Sequence, residues 1–236
     1  MFKQTQLIQF NADTSLARCA EVYTYLQSIS RTTGIVRGFA APTLPGALNG
    51  GDLIWHLQFD DEVAYTQFRA GDLWRSVEEM LQPLAANIEC VGYVGGDSGV
   101  RAPSLQDGVY RTLLVSATQP QAAEKETQLV AQFTTLFTQE ILAMPQYIDG
   151  IRNWQLSRVS YASGTRRWTH VWEQEFDDLA ALQQQYMQHP YHWAHVDRWF
   201  DWESPDWLID RRMCHTFCRL DASVLAAVEH NPAENN

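Results

Sequence analysis

The chain is short of positive charge. Seventeen Lys and Arg stand against 28 Asp and Glu, a formal net charge of −11. No basic stripe interrupts that balance, and without clustered Lys and Arg there is nothing to neutralise phosphates, so nucleic acid is excluded as a partner. Cysteine is scarce as well: four in 236 residues, Cys19, Cys90, Cys214 and Cys218, do not make a disulfide framework. Cys214 and Cys218 sit four apart in a run that reads as a strand, so both face one side while His215 between them faces the other. They read as small buried hydrophobes rather than metal ligands. Long apolar runs are missing, and the opening MFKQTQLIQF has no apolar signal core, so a membrane partner is excluded and a soluble, cytoplasmic protein is expected. What is present is an ordinary globular composition, 45% hydrophobic and 19% charged, in a chain long enough to bury a real core.

The chain also repeats itself. GGDLIWHLQFDD (50–61) aligns with RWTHVWEQEFDD (167–178), pairing Trp55 with Trp172 and Phe59 with Phe176, each pair 117 residues apart. A period this long means two copies of a small domain. Each copy reads β-α-β-β-α-β. In the first, TQLIQF is a strand; Leu16, Cys19, Tyr23, Leu26 and Ile29 form a helical stripe behind an Asp13 or Thr14 cap. Strands around Ile35–Ala41 and Leu53–Phe59, a helix through Tyr65–Leu84 and a strand around Ile88–Val94 complete it. The second opens with strand Tyr110–Ser116. Pro120 starts a helix carrying Leu129, Phe133, Phe137, Ile141 and Met144, and strands near Ile151–Tyr161 and Trp168–Phe176 follow. Helices then run through Trp199, ahead of a strand Arg212–Cys218. The expected organisation is a first repeat over 1–96, a Gly/Ser/Pro linker over 97–108, a second repeat over 109–221 and a C-terminal tail over 222–236. The fold class is α+β: two tandem ferredoxin-like repeats whose bare sheet faces cover each other in an intrachain barrel.

The chemistry concentrates in YMQHPYH (186–192). Asp177 is a plausible cap for a helix with Leu179, Leu182 and Tyr186 on its apolar side, and Pro190 disfavours helix at His189 while suiting the first turn of the next one. In that next helix Trp193, Val196 and Phe200 form the expected core stripe; His192, His195 and Trp199 form the adjacent one. By pattern alone this is a bend with His189 as its cap and His192 a hydrogen-bonded, half-buried histidine. A zinc site is poorly supported, since His-x-x-His supplies two ligands where catalytic zinc usually takes three.

The second copy resembles the stress-responsive dimeric α/β-barrel family. The residues that carry this are the strand Trp168–Glu173, Phe176, and Tyr186-x-x-His189-Pro190-x-His192, over roughly Val109–Leu220. Its cyclase-type members close a polyketide ring by aldol condensation. The resemblance implies His192 and Tyr186 as the catalytic pair, with His170 in the pocket and His189 and Pro190 as structural parts of the motif. A further first-strand histidine of such cyclases has no counterpart, the place being held by Thr112 or Arg111. Trp172, which shares a strand face with His170 while Glu173 points the other way, joins Thr112, His195 and Trp199 as expected substrate contacts. The first copy has AGDLW (70–74) in place of the motif.

A neutral imidazole can take a proton from a carbon acid, and a nearby phenol can donate to the oxygen that gains charge. The expected activity is cofactor-independent cyclase, isomerase or lyase chemistry on a small, partly apolar carbonyl or lactone-type substrate. Two alternatives stand beside it. One is a non-catalytic small-molecule-binding stress protein. The other is a haem enzyme of the chlorite-dismutase kind drawing on His170, His192 or His195. The tryptophan-rich WFDWESPDW (199–207) reads as a lid or as a packed surface loop, and a homodimer is left open.

Overall fold

Period-two alternation sorts the strand residues into two faces before any packing is considered. The computed structural model describes residues 1–117 and 124–226. In the first half, β1 (Phe2–Phe10), α1 (Leu16–Ile29), β2 (Arg37–Pro42) and β3 (Leu53–Phe59) are followed by α2 (Glu62–Ala70), α3 (Asp72–Leu81) and β4 (Ala85–Val94). In the second, β5 (Asp97–Val100) and β6 (Gln106–Val115) precede α4 (Glu124–Tyr147), β7 (Asn153–Ser163) and β8 (His170–Phe176). Two π-helical turns, Ala181–Tyr186 and His192–Val196, and a 3-10 turn, Asp197–Trp199, lead to β9 (Cys214–Ala222). With β5 set apart, each half follows a β-α-β-β-α-β order, the second helical place being taken by α2 and α3 in the first half and by the π-helical and 3-10 turns in the second.

The strands hydrogen-bond in the order β2-β3-β1-β4-β7-β8-β6-β9. Bridges Thr43–Cys218 and Leu48–His215 bring the chain beyond β2 against β9, so the sheet is a nearly closed barrel with few open edges. One face of every strand looks inwards. There Leu7, Ile54, Val91, Tyr93, Tyr110, Leu114, Val171, Cys214 and Cys218 meet in a core shared by both halves. The other face lies under helices. Trp55, Leu57 and Phe59 pack beneath α1 and α3, and Trp172, Phe176 and Phe217 beneath α4 and the π-helical turns.

Several local expectations shift. The linker range holds β5, which pairs with β7, and the start of β6, whose register with β9 extends back to Gln106. The single helix over Tyr65–Leu84 is two, broken at Gly71, whose extended backbone stops α2 and starts α3. Ser15, not Asp13 or Thr14, caps α1, and Leu16 projects into solvent while Val22 joins Leu26 and Ile29 in the core. Asp178, not Asp177, accepts the Ala181 amide at 2.8 Å, leaving Asp177 to pair with Arg152. The Pro120 start of the long helix and most of the C-terminal tail lie outside the described residues, as do the side chains of Leu129 and Phe133.

Candidate functional site

The site begins with the parity of two neighbouring strands. On β6, Arg111 and Leu113 fall on the helix-facing side, and pairing sets Leu113 opposite His215 of β9, so Arg111 and His215 share that side. Ile141 of α4 lies across from them, and the chain through 186–192 closes the space. The result is a cavity of ≈ 340 Å³ lined by Arg111, Leu113, Ile141, Tyr186, His192 and His215, with Asp197, Phe200, Asp201 and Met213. Larger hollows lie beside α1 and along the β2–β9 seam, at ≈ 740 and ≈ 790 Å³, but no histidine lines either.

YMQHPYH builds its corner as follows. The turn before it is wound as a π-helix, with the Met187 amide donating to Leu182 O at 3.0 Å, five residues back. Pro190 opens the next turn, and His189 caps it by accepting the Tyr191 amide on Nδ1 at 3.1 Å. That turn is π-wound too, the Asp197 amide bonding to His192 O. The wider winding moves residues off the stripe a 3.6-residue period predicts. Trp193, expected in the core, is 63% exposed, while Val196 and Trp199 are buried. His192 turns inwards, its ring 5.1 Å from that of Tyr186 in a T-shaped contact, and Phe176 braces Tyr186 from the strand at 5.5 Å.

Arg111 dominates the electrostatics. It is 3% exposed; it donates from Nε to His215 Nε2 at 2.6 Å and from Nη1 to Gln174 Oε1, and stands 5.0 Å from the Tyr186 ring centre. Burial, and then the Arg111 charge, push the His192 imidazole down to about 4. The same two causes, with His192 third, push His215 down to about 2, in keeping with a neutral ring accepting a hydrogen bond. His192 Nδ1 is 3.2 Å from Asp197 Oδ1, without hydrogen-bond alignment. That carboxylate is half exposed and burial raises its own pKa, so it does not reverse the downward shift on His192. Tyr186 is fully buried; its hydroxyl donates to the weak acceptor Met144 Sδ at 4.0 Å, and the Arg111 guanidinium lies beside it as a further side-chain partner.

Of the residues expected to act on or contact a substrate, His192 and Tyr186 line the cavity, whereas Thr112, His170, Trp172, His195 and Trp199 do not. Thr112 is on the opposite face of β6 from Arg111, buried in the barrel, because alternation allows only one of the two to face the helices. His195 is half exposed and stacks on Tyr191 at 4.4 Å. Trp199 is buried and donates to Glu140 Oε2 at 2.6 Å. Trp172 is core, and His170 packs edge-on to Phe137 with Nδ1 3.0 Å from Thr169 Oγ1. His170 is pushed to about 4, by burial and then by Arg158. The three histidines offered as alternative haem ligands thus lie in three different surroundings. Among the described residues no group of three His, Cys, Asp or Glu side chains has metal-holding geometry. Arg111 and His215 were missed as a pair. The parity that sent His215 away from Cys214 and Cys218 was the available signal, but it named no partner.

In the first half the same register puts Gln4 where the second has Arg111, and Cys90 where it has His215. A hollow of ≈ 410 Å³ occupies the corresponding place, lined by Gln6, Trp74 and Cys90 and by no histidine.

Residues 109–209, which run from within β6 through the 199–207 loop and hold all but two of the cavity-lining residues, match the sequence profile of the stress responsive A/B barrel domain. Among solved structures, an anthrone oxidase-like protein superposes with a TM-score of 0.64 at 10% identity, covering 92% of this chain and 90% of its own. A candidate monooxygenase from Fusobacterium nucleatum subsp. nucleatum superposes with a TM-score of 0.58 at 7% identity, covering 96% and 95%. A candidate chlorite dismutase gives 0.52 at 14% identity, covering 95% and 97%. At these identities the likeness is one of fold, and it extends over both halves of the chain. No curated protein matches the chain by sequence. No helix among the described residues is long and apolar enough to cross a membrane.

Proposed function

We propose that the cavity beside His192 is the active site of a cofactor-independent enzyme that moves a proton on a small, partly apolar carbonyl or lactone-type substrate, as a cyclase, isomerase or lyase would. The observation that carries this reading is the pairing of a neutral, largely buried imidazole with a buried phenol on one apolar-walled cavity. His192, held uncharged by burial and Arg111, is free to accept the proton from a carbon next to a carbonyl. The electron pair left behind moves onto the carbonyl oxygen. Tyr186, whose hydroxyl has no strong acceptor of its own, donates to that oxygen, and Asp197 stands 3.2 Å from the imidazole to stabilise it once protonated. The A/B barrel domain and the oxidase-like and monooxygenase-like folds nearby are in keeping with small-molecule chemistry, but fold alone does not name a reaction.

The test needs no knowledge of the final product. Proton abstraction makes the protein exchange the α-hydrogens of a β-ketoester or β-ketolactone for deuterium in D2O, read by NMR. We expect exchange well above buffer, lost in His192→Ala and lowered about 10²-fold in Tyr186→Phe, with both variants folded by circular dichroism. Exchange at the buffer rate in the native protein, or full exchange in folded His192→Ala, defeats the proposal. Recovery of a tightly held ligand unaltered would point to a binding protein.

A further inference from the structure

The cavity contains a cation that the proton-transfer chemistry alone does not require. Arg111 is 3% exposed, yet the acceptors at its Nε and Nη1, His215 Nε2 and Gln174 Oε1, are neutral. No carboxylate of the described residues lies within ion-pair distance of it, although Asp197 and Asp201 line the same cavity. Elsewhere the chain pairs a comparably buried cation directly: Lys3 sits 3.2 Å from Glu173. A buried charge without a counter-ion is costly, because the water it gives up is not replaced. Arginine cannot escape that cost by losing its proton at ordinary pH. Its Nε and Nη1 are engaged by His215 and Gln174 and the Tyr186 phenol lies beside it, and none of these partners is a carboxylate.

From this we infer that the cavity takes a small organic monoanion, a carboxylate or carboxylate-like enolate on an apolar body, with its charge on Arg111. Three features of the wall suit that class. His192 and His215 are both neutral, so neither competes for the anion as a second fixed cation. The acids Asp197 and Asp201 lie on the solvent-facing stretch after His192, which turns the charged end of a ligand inwards. Leu113, Ile141, Val196 and Phe200 supply the apolar surroundings for a hydrocarbon or aromatic body. A planar guanidinium edge also matches the two oxygens of a carboxylate better than it matches a lone hydroxyl.

This inference shares its site with the proposed function but not its chemistry, so binding tests it without turnover. The probes are 2-naphthoate and its neutral isostere 2-naphthamide, titrated at neutral pH and followed by naphthalene fluorescence and calorimetry. We expect the native protein to bind the naphthoate at least tenfold more tightly than the amide. Folded Arg111→Met should lose that preference, Arg111→Lys should keep part of it, and His192→Ala should keep it. Equal binding of the two probes by the native protein, no binding of the naphthoate, or an unchanged preference in Arg111→Met overturns the inference. The native comparison decides the matter even where Arg111→Met fails to fold. Charge-selective binding in a protein that exchanges no α-hydrogen would defeat the catalytic reading and leave this one standing.

Discussion

Removing the ammonium of Lys3 should be among the most damaging single changes available in the barrel. Lys3 on β1 and Glu173 on β8 come from opposite halves, 170 residues apart, and meet inside the barrel at 3.2 Å with side chains 5% and 0% exposed. The same carboxylate accepts the Tyr110 hydroxyl at 2.9 Å. His56 lies 3.9 Å away, but burial and the Lys3 charge push its pKa well below the usual value, so it is neutral. Lys3 is thus the cation that balances Glu173. At 3.2 Å and an effective dielectric constant of about 20, the attraction is about 5 kcal/mol, most of it spent against the desolvation of the two groups. Lys3→Met removes the attraction and leaves the carboxylate buried, a loss of about 3–5 kcal/mol. In a domain of this size that lowers the melting temperature by about 10 °C. The double variant Lys3→Met/Glu173→Gln removes the stranded charge, keeps an acceptor for Tyr110, and should recover most of the loss. Guanidinium unfolding of the four proteins completes the cycle. A single variant within about 1 kcal/mol of the native protein would refute the reasoning. So would a double variant no better than the worse single one.

Acid should weaken the fold through its buried histidines. His170 titrates at about 4 in the folded chain against about 6.5 when unfolded. Its contribution is therefore complete above about pH 6.5 and is lost as pH falls towards 4, about 2 kcal/mol between pH 7 and 5. Urea unfolding of His170→Gln should lose that much less stability over this interval, and parallel curves would count against it. In NMR titrations His192 should protonate near pH 4, and Arg111→Met should move that midpoint upwards, since Arg111 is the second cause of its depression. Gly50→Ala should destabilise the seam by about 1–3 kcal/mol in thermal melts, because an added Cβ would fall 1.6 Å from Thr216 Oγ1. Thr112→Val should leave naphthoate affinity unchanged and stability equal or higher, since that hydroxyl is buried in the barrel without a partner among the described residues.

Much of this was legible in the residues themselves. The echo of Trp55–Phe59 in Trp172–Phe176 announced two β-α-β-β-α-β units, and the structure shows both on β3 and β8. Alternation also put His215 on the face away from Cys214 and Cys218, and Glu173 away from His170 and Trp172, as the folded chain has them. YMQHPYH itself marked where His192 and Tyr186 would meet, because Pro190 enforces a bend within one short stretch. These features depend on spacing along the backbone, which the order of residues determines by itself. The tertiary structure alone decided the rest. Arg111 and His215 are 104 residues apart and become neighbours only because β6 pairs with β9. The choice of Arg111 over Thr112 depends on which side of β6 the helices cover, a matter of long-range packing. The π-helical winding that turns Trp193 and His195 outwards is set where the turns pack between α4 and the sheet, and no 3.6-residue count foresees it. Local periodicity assigns each side chain a face; only the closing of the barrel determines what that face meets.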